Sequence, residues 1–332
     1  MHIQRIGARG RLIVLLIIKI VVSLCLLLPS HALSFEGPLW NKSQFPLFRA
    51  VDAPYLEMAA IEDSFSLRFS YSNIFLTGQS NAWTVYADME MSDLTFQYRK
   101  KIGNLFEVGI DLPVLVFTSG FLDGFLNSYH NAFNLSDYDR PSAPDNRFRY
   151  EVRQNDNSVI KGQNGSIGLG DVRLTIKKPL LHDDPAVSIK ADIELPTGDA
   201  KKGFGSGSID AGLAILADKR LGEKVKLYLN VGAVFAGDYK GYETVELRDY
   251  LFGGVALEAT PWQHWSFVGQ VSLQGSPWPT TGISEVDGSS MLLTLGGRYL
   301  WGRNSLEVAF TEDINKSGAP DFTMVFSFKR QF

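Results

Sequence analysis

The chain has 332 residues, 45% hydrophobic and 20% charged, with a formal charge of −4 and a single cysteine. An acidic chain without a basic block argues against nucleic acid as a partner. The length suits two soluble domains or one barrel.

Arg5, Arg9 and Arg11 precede an apolar run from Leu12 to Leu28, followed by Pro29 and the small alternate residues Ser30 and Ala32. Basic start, apolar middle and small residues describe a secretory signal over residues 1–32, cleaved after Ala32. An uncleaved anchor is the rival, since the run approaches the length that spans a bilayer. Lys19 interrupts the run, and a helix-breaking proline precedes the cleavage site, which favours cleavage. Cys25 lies inside this segment and follows Leu24, which is too large for a lipoprotein signal. The mature chain is therefore expected to have no thiol, no disulfide and no cysteine metal site. Removing 1–32, which carries four basic and no acidic residues, leaves 300 residues and moves the charge to −8. The remainder holds no apolar stretch near 18 residues, so a membrane could be crossed only by a closed barrel.

Residues 33–61, with Pro38, Pro46 and Pro54, read as an irregular lead-in, either periplasmic or entering a lumen. Near-alternating segments then recur at about 64–76, 82–100, 105–117, 166–178, 186–195, 209–219, 225–236, 248–260, 265–275, 289–300, 305–312 and 321–332. Side chains alternate between faces along a strand, so about twelve strands with one apolar and one polar face are expected. In the second segment the apolar parity flips between Trp83-Val85-Ala87 and Leu94-Phe96-Tyr98, which predicts a bulge near Ser92-Asp93.

The connectors sort by length. Lys101–Asn104, Leu181–Pro185, Leu221–Lys224, Pro261–His264 and Trp301–Asn304 are short, while 118–165, 196–208, 237–247, 276–288 and 313–320 are longer. Short periplasmic turns alternating with long outer loops are the pattern of outer-membrane barrels, and a soluble sandwich has no reason to show it. Only Thr77–Asn81 is short where a long loop is expected. Trp262, Trp265, Tyr299 and Trp301 gather at the short-turn end, as an interfacial aromatic girdle requires.

The long loop 118–165 contains Gly120–Asn134, which reads as a short amphipathic helix. Leu122, Phe125, Leu126, Tyr129 and Phe133 form one face, with Asp123, Asn127, His130, Asn131 and Asn134 opposite. A loop of this length is expected to act as a lid or constriction, with Asp123, Tyr129 and His130 its candidate residues. The rest, Ser136–Asn164, is polar and expected to be mobile.

The final strand places Phe322, Met324, Phe326 and Phe328 on one face and Thr323, Ser327, Lys329 and Gln331 on the other, with Phe332 last. Such a strand at a chain end would be an aggregation-prone edge unless paired on both sides. Its expected neighbours are 305–312 and 64–76, which would close the ring. It resembles the terminal strand by which the barrel-assembly machinery recognises outer-membrane barrels, apart from Arg330.

Several stretches carry a wider likeness: Gly37-Pro38-Leu39, Gln44-Phe45-Pro46-Leu47, Gly120-Phe121-Leu122-Asp123, Tyr129-His130-Asn131-Ala132-Phe133, Gly168-Leu169-Gly170-Asp171 and Leu195-Pro196-Thr197-Gly198-Asp199. Through them the chain resembles a proteobacterial outer-membrane barrel family catalogued as domain of unknown function 3187. The resemblance implies an exported barrel and brings no activity and no catalytic residues.

If the apolar face meets lipid, the polar face lines the lumen. Arg68, Arg99, Glu107, Asp111, Asp171, Arg173, Lys190, Asp192, Glu194 and Arg298 are the candidate pore-lining residues, and Asp88, Glu90, Lys177, Lys226, Glu258 and Glu307 belong to the same polar set. Mixed charge fits a lumen closed by salt bridges or a charged pore that selects solutes.

A lipid hydrolase is the enzymatic alternative. Serine-dependent barrel lipid hydrolases need a histidine beside the nucleophile. His264-Trp265-Ser266 resembles the His-x-Ser pair of barrel phospholipases but falls in a short turn without that family's neighbouring residues. His130 is placed better for a lumen contact than for catalysis. His182-Asp183-Asp184-Pro185 reads as a turn, and Asp137, Asp139 and Asp145 lack EF-hand spacing. The Gly198–Gly207 stretch lacks P-loop order and reads as a flexible outer loop. No cofactor is expected.

The reading is an all-β, transmembrane antiparallel barrel over 62–332, in the outer membrane of a Gram-negative cell, in contact with its lipids and lipopolysaccharide. A narrow or gated channel for ions or small solutes is favoured; a lipid hydrolase and a plugged structural barrel are the alternatives.

Overall fold

The computed structural model describes residues 35–121, 146–315 and 317–332. The expected signal segment and the residues Asp123, Tyr129, His130, Asp137, Asp139 and Asp145 lie outside the described residues. Among the described residues no helix is long and apolar enough to cross a membrane.

In chain order, a one-turn helix α1 (Pro46–Arg49) precedes β1 (Ser64–Gln79), β2 (Trp83–Ile102) and β3 (Phe106–Thr118). A hairpin β4 (Arg149–Gln154) and β5 (Asn157–Lys161) follows, then β6 (Ser166–Leu169), β7 (Val172–Leu181), β8 (Ala186–Leu195), β9 (Asp210–Arg220) and β10 (Val225–Phe235). The ribbon β11 (Tyr239–Lys240) and β12 (Thr244–Val245) leads to β13 (Tyr250–Trp262), β14 (Trp265–Gln274), a one-turn helix α2 (Ser284–Asp287), β15 (Ser290–Trp301), β16 (Asn304–Asp313) and β17 (Phe322–Gln331).

Twelve of these close into an antiparallel barrel: β1, β2, β3, β7, β8, β9, β10 and β13 to β17, with β17 returning to β1. The seam runs in continuous register from Ser64 opposite Gln331 to Asn73 opposite Phe322. The last strand thus pairs with both expected neighbours, and Phe332 extends the seam by donating its N–H to the Asp63 carbonyl. Full closure leaves the ring without an edge. A strand of ten residues tilted at about 40° rises ~25 Å, the height of an apolar membrane band.

The alternation works as the sequence implies. Phe69, Phe96, Ile193, Leu229, Phe310 and Phe326 are exposed on the outer wall, while Arg68, Asp93, Arg99, Lys190 and Arg298 are buried inside. At the short-turn end Trp265 stacks against Phe267, and Tyr299 lies between Trp265 and Trp301.

Four expectations need correction. No bulge occurs at Ser92-Asp93: β1 and β2 pair without a shift from Ser64–Arg99 to Gln79–Thr84. The odd-numbered residues of β2 face inward throughout, and what changes is the environment. Toward the turns they meet charged partners; toward the loops Trp83, Val85, Ala87, Met89 and Met91 enter an apolar cluster. Consequently Asp88 and Glu90 lie on the outward face, where Glu90 accepts from Tyr71 and from the Phe121 N–H. The stretch expected to be mobile contains β4 and β5, which add to the end of β2 and bury Tyr150, Val152, Val159 and Ile160. The loop read as flexible, 198–207, is folded around a 3₁₀ turn (Ala200–Lys202), with Phe204 stacked 4.6 Å from Phe117.

β1 and β2 are longer than the other barrel strands, at 16 and 20 residues, and their ends carry this apolar cluster beyond the rim. Phe45, Leu47, Phe48 and Val51 enter it from the N-terminal segment, and Trp278, Ile283 and Val286 from the loop before β15.

Candidate functional site

Residues 35–62 run through the lumen. Having no strand or helix period, they must satisfy their backbone groups through the wall, and they do so from one end to the other. Near the short turns Glu36 and Gly37 donate N–H groups to Glu258, at 3.2 and 3.1 Å. Gly37 adopts φ +98°, and its carbonyl accepts from Arg298 at 3.2 Å. Leu39 exchanges both backbone groups with the Gln270 amide, at 2.9 and 3.2 Å. Asn41 reaches Thr294 and Thr311. At the loop end Ser43 donates to the Gly318 carbonyl and Trp278 to the Leu47 carbonyl. The chain then descends: Tyr55 to Asp111, Glu57 to Asn230, Ala59 to Asp218 and Glu62 to Glu107. The segment is an ascending and a descending arm joined by α1.

Charge fixes the two arms. Lys190 meets Glu57 at 2.7 Å and Asp192 at 2.8 Å, while Lys177 bridges Glu57 and Glu107 at 3.8 and 3.2 Å. Lys329 meets Glu62 at 2.5 Å and Glu36 at 3.3 Å. Arg173 pairs with Asp52 and donates to the Ala53 carbonyl. Asp93 of the wall holds both Arg49 of α1, at 3.1 Å, and Arg68, at 2.9 Å. Arg99 pairs with Asp111 at 2.8 Å and donates to the Tyr55 hydroxyl. Arg298 pairs with Glu258 at 3.1 Å and Glu307 at 2.6 Å. Lys42, buried at the turn of the segment, is held well below the usual lysine range by burial and then by Arg49 and Arg173.

Apolar contact adds shape. Leu39 and Leu56 pack with Tyr228, Ala256, Val268, Ala309 and Val325, a small cluster set in the polar lumen. Gly254 and Gly296 make room for them: a Cβ at either would lie 2.9 Å from the Leu56 or Leu39 methyl groups. An internal cavity of about 70 Å³ remains beside Glu36, Trp40, Tyr55, Glu57, Arg99 and Lys329.

All ten candidate pore-lining residues are buried on the inward side. Arg68, Arg99, Glu107, Asp111, Arg173, Lys190 and Arg298 join the N-terminal segment directly or through one partner, and Asp192 pairs with Lys190. Asp171 and Glu194 stand apart, at the loop end. Burial pushes the Asp171 carboxyl up, against the N–H groups of Gly198 and Ser206. Sequence reading missed Asp52, Tyr55, Glu57 and Glu62 because the segment lacks periodicity, and Asp93 because the expected bulge was placed on it.

The residues weighed for catalysis have separate partners. Ser266 donates to Glu258 at 2.5 Å inside the barrel, and His264 Nδ1 donates to the Leu300 carbonyl at 2.9 Å. Asp184 serves the neighbouring turn, accepting from the Arg220 N–H and the Lys219 ammonium.

No curated protein sequence matches the chain. Among solved structures, the COG4313 outer membrane channel from Pseudomonas putida F1 shares the fold, at 13% identity and a TM-score of 0.55, over 84% of this chain and 98% of that one. The Ralstonia pickettii toluene transporter TbuX aligns at 10% identity and a TM-score of 0.44, over 88% and 99% of the two chains. The family motifs occupy structural joints: Gly37-Pro38-Leu39 docks on Glu258 and Gln270, and Thr197 and Gly198 clasp Gly170-Asp171. The sequence profile described as Protein of unknown function (DUF3187) matches residues 13–332, and the chain belongs to that family.

Proposed function

We propose that the protein is an outer-membrane channel for small solutes, held closed in this conformation by residues 35–62. The observation that carries this reading is the chemistry of the plug's seat. In the half of the barrel nearer the short turns, the plug meets the wall mainly through ion pairs and hydrogen bonds. Water can replace such contacts when a segment moves, so a displaced plug leaves a wettable, charged lumen. Arg68, Arg99, Glu107, Asp111, Asp171, Arg173, Lys190, Asp192, Glu194 and Arg298 would then line the path.

The shared fold with an outer membrane channel supports this assignment. The outward apolar wall suits lipid and lipopolysaccharide, and the aromatic band fits the interface nearer the periplasm. The strand ending in Phe332 would present itself to the barrel-assembly machinery before the seam closes. That Ser266 bonds to Glu258 and His264 to the Leu300 carbonyl favours transport over lipid hydrolysis.

A second reading is a permanently plugged structural barrel. The apolar cluster around α1 and Trp278 favours it, because that end of the plug is not readily wetted. Planar-bilayer recording separates the two. Conductance steps from the purified barrel, more frequent when the plug seat is weakened, support the channel. Silence from both the natural protein and the weakened variants supports the permanent plug.

A further inference from the structure

Three carboxylates converge at the loop end, on strands the plug joins only in part. Asp171 immediately precedes β7, Glu194 is next to last in β8, and Asp210 opens β9. Each offers a ligand oxygen, and these oxygens lie within 4.8 Å of one another. All three residues are buried.

Two of them are supplied with donors. Asp171 accepts from the Gly198 and Ser206 N–H groups at 2.7 and 2.8 Å. Asp210 accepts from the Gly237 N–H at 2.8 Å and the Ser206 hydroxyl at 2.9 Å. Glu194 differs. Its residue is 1% exposed, and neither carboxylate oxygen has a hydrogen-bond partner. Among the described residues no lysine or arginine forms an ion pair with it. Arg173 pairs with Asp52 and donates to the Ala53 carbonyl, and Arg49 pairs with Asp93; Nε and Nη1 of Arg173 and Nη2 of Arg49 keep no hydrogen-bond partner, and none of them bonds to Glu194. A buried carboxylate without a donor is costly, and beside two further acids it is more so. A bound cation removes both costs.

We propose that Asp171, Glu194 and Asp210 form a calcium site that ties together the loop-end edges of β7, β8 and β9. All-oxygen donors select a hard cation. Calcium takes ligands at about 2.3–2.6 Å in flexible geometry, so opposite ligands stand up to ~5 Å apart, whereas magnesium demands tighter octahedral spacing. Water supplies the remaining ligands. The site needs no assumption about conductance and stands or falls apart from the channel reading.

The test is calcium titration of the chelator-washed, folded barrel in detergent, followed by calorimetry and by thermal melting, with magnesium as the comparison. One calcium per chain is expected, at a dissociation constant of roughly 0.1–1 mM, as in extracellular calcium modules. Glu194→Gln should keep the barrel, since its oxygens receive no hydrogen bond. It should lose at least about tenfold in affinity, as removal of a charged ligand does, together with the calcium-dependent rise in melting temperature. Asp184→Asn, in a turn at the opposite end, should bind as the natural protein does. No binding by the folded natural protein up to about 10 mM calcium, well above that range, would overturn the proposal. So would Glu194→Gln binding calcium unchanged. If Glu194→Gln does not fold, the titration of the natural protein decides alone.

Discussion

Glu258 and Arg298 form a 3.1 Å ion pair that holds both polar groups of one plug residue: the N–H of Gly37 goes to Glu258, and its carbonyl receives Arg298. Glu258 also accepts from Tyr228, Ser266 and the Glu36 N–H. A carboxylate can accept all of these, whereas an amide must turn a donor toward donors. Glu258→Gln should destabilise the folded barrel by roughly 3–5 kcal/mol, the cost of breaking a buried pair from one side. Denaturant midpoints of the folded band on unheated gels would measure it; an unchanged midpoint would place the plug's first contact elsewhere.

Asp93 is the counter-charge of two arginines, Arg49 of the plug and Arg68 of the wall. Asp93→Asn leaves those guanidinium groups together in a buried site. A loss of about 3–5 kcal/mol is expected, with cleavage by protease near α1 as the local sign. Equal protease resistance in both proteins would show that α1 is held by its apolar contacts alone.

Leu39 and Leu56 fill spaces that Gly296 and Gly254 leave in the wall. Leu56→Ala should open a cavity and cost about 2–5 kcal/mol, because the surrounding barrel cannot collapse onto it. The same variant should conduct more often than the natural protein in planar bilayers. A stability loss without any conductance would favour the permanently plugged barrel.

The seam gives a fourth prediction. Val325 lies inward on β17 between Ser70 of β1 and Ala309 of β16. Proline has no N–H to offer such a central strand, so Val325→Pro should abolish the compact band seen on unheated gels. The natural protein should show that band and be recovered in the outer-membrane fraction; recovery as a soluble protein would contradict the membrane assignment.

Strand positions were readable because the wall separates two solvents, and a period of two records that separation residue by residue. Even the length sorting of the connectors survived. The plug was not readable, since residues 35–62 take their order from hydrogen-bonding and charged partners scattered around the wall. Its imprint is visible afterwards in the wall: Ala256, Val268, Ala309 and Val325 are apolar on an otherwise polar face where Leu39 and Leu56 arrive. The parity flip in β2 was a true signal with the wrong cause. It marks the height at which the interior turns from ionic to apolar, not a break in the ladder. The β4–β5 hairpin was missed because Arg149, Glu151 and Arg153 make it look like a solvated loop, while only Tyr150 and Val152 of β4 and Val159 and Ile160 of β5 face the core.

On the channel reading the plug must move for solute to pass, and immobilising it is the sharpest test. Asn41 of the plug donates to Thr311 of the wall at 2.9 Å, so Asn41→Cys with Thr311→Cys brings two thiols within reach of a short disulfide-forming cross-linker that a reductant cleaves. Cys25 is the chain's only cysteine, and Cys25→Ser in the same variant removes the competing thiol. Bilayer conductance recorded before cross-linking, after it and after reduction is the measurement. Steps that vanish on cross-linking and return on reduction are predicted. Conductance that persists with the plug tethered would show that solute passes without plug movement.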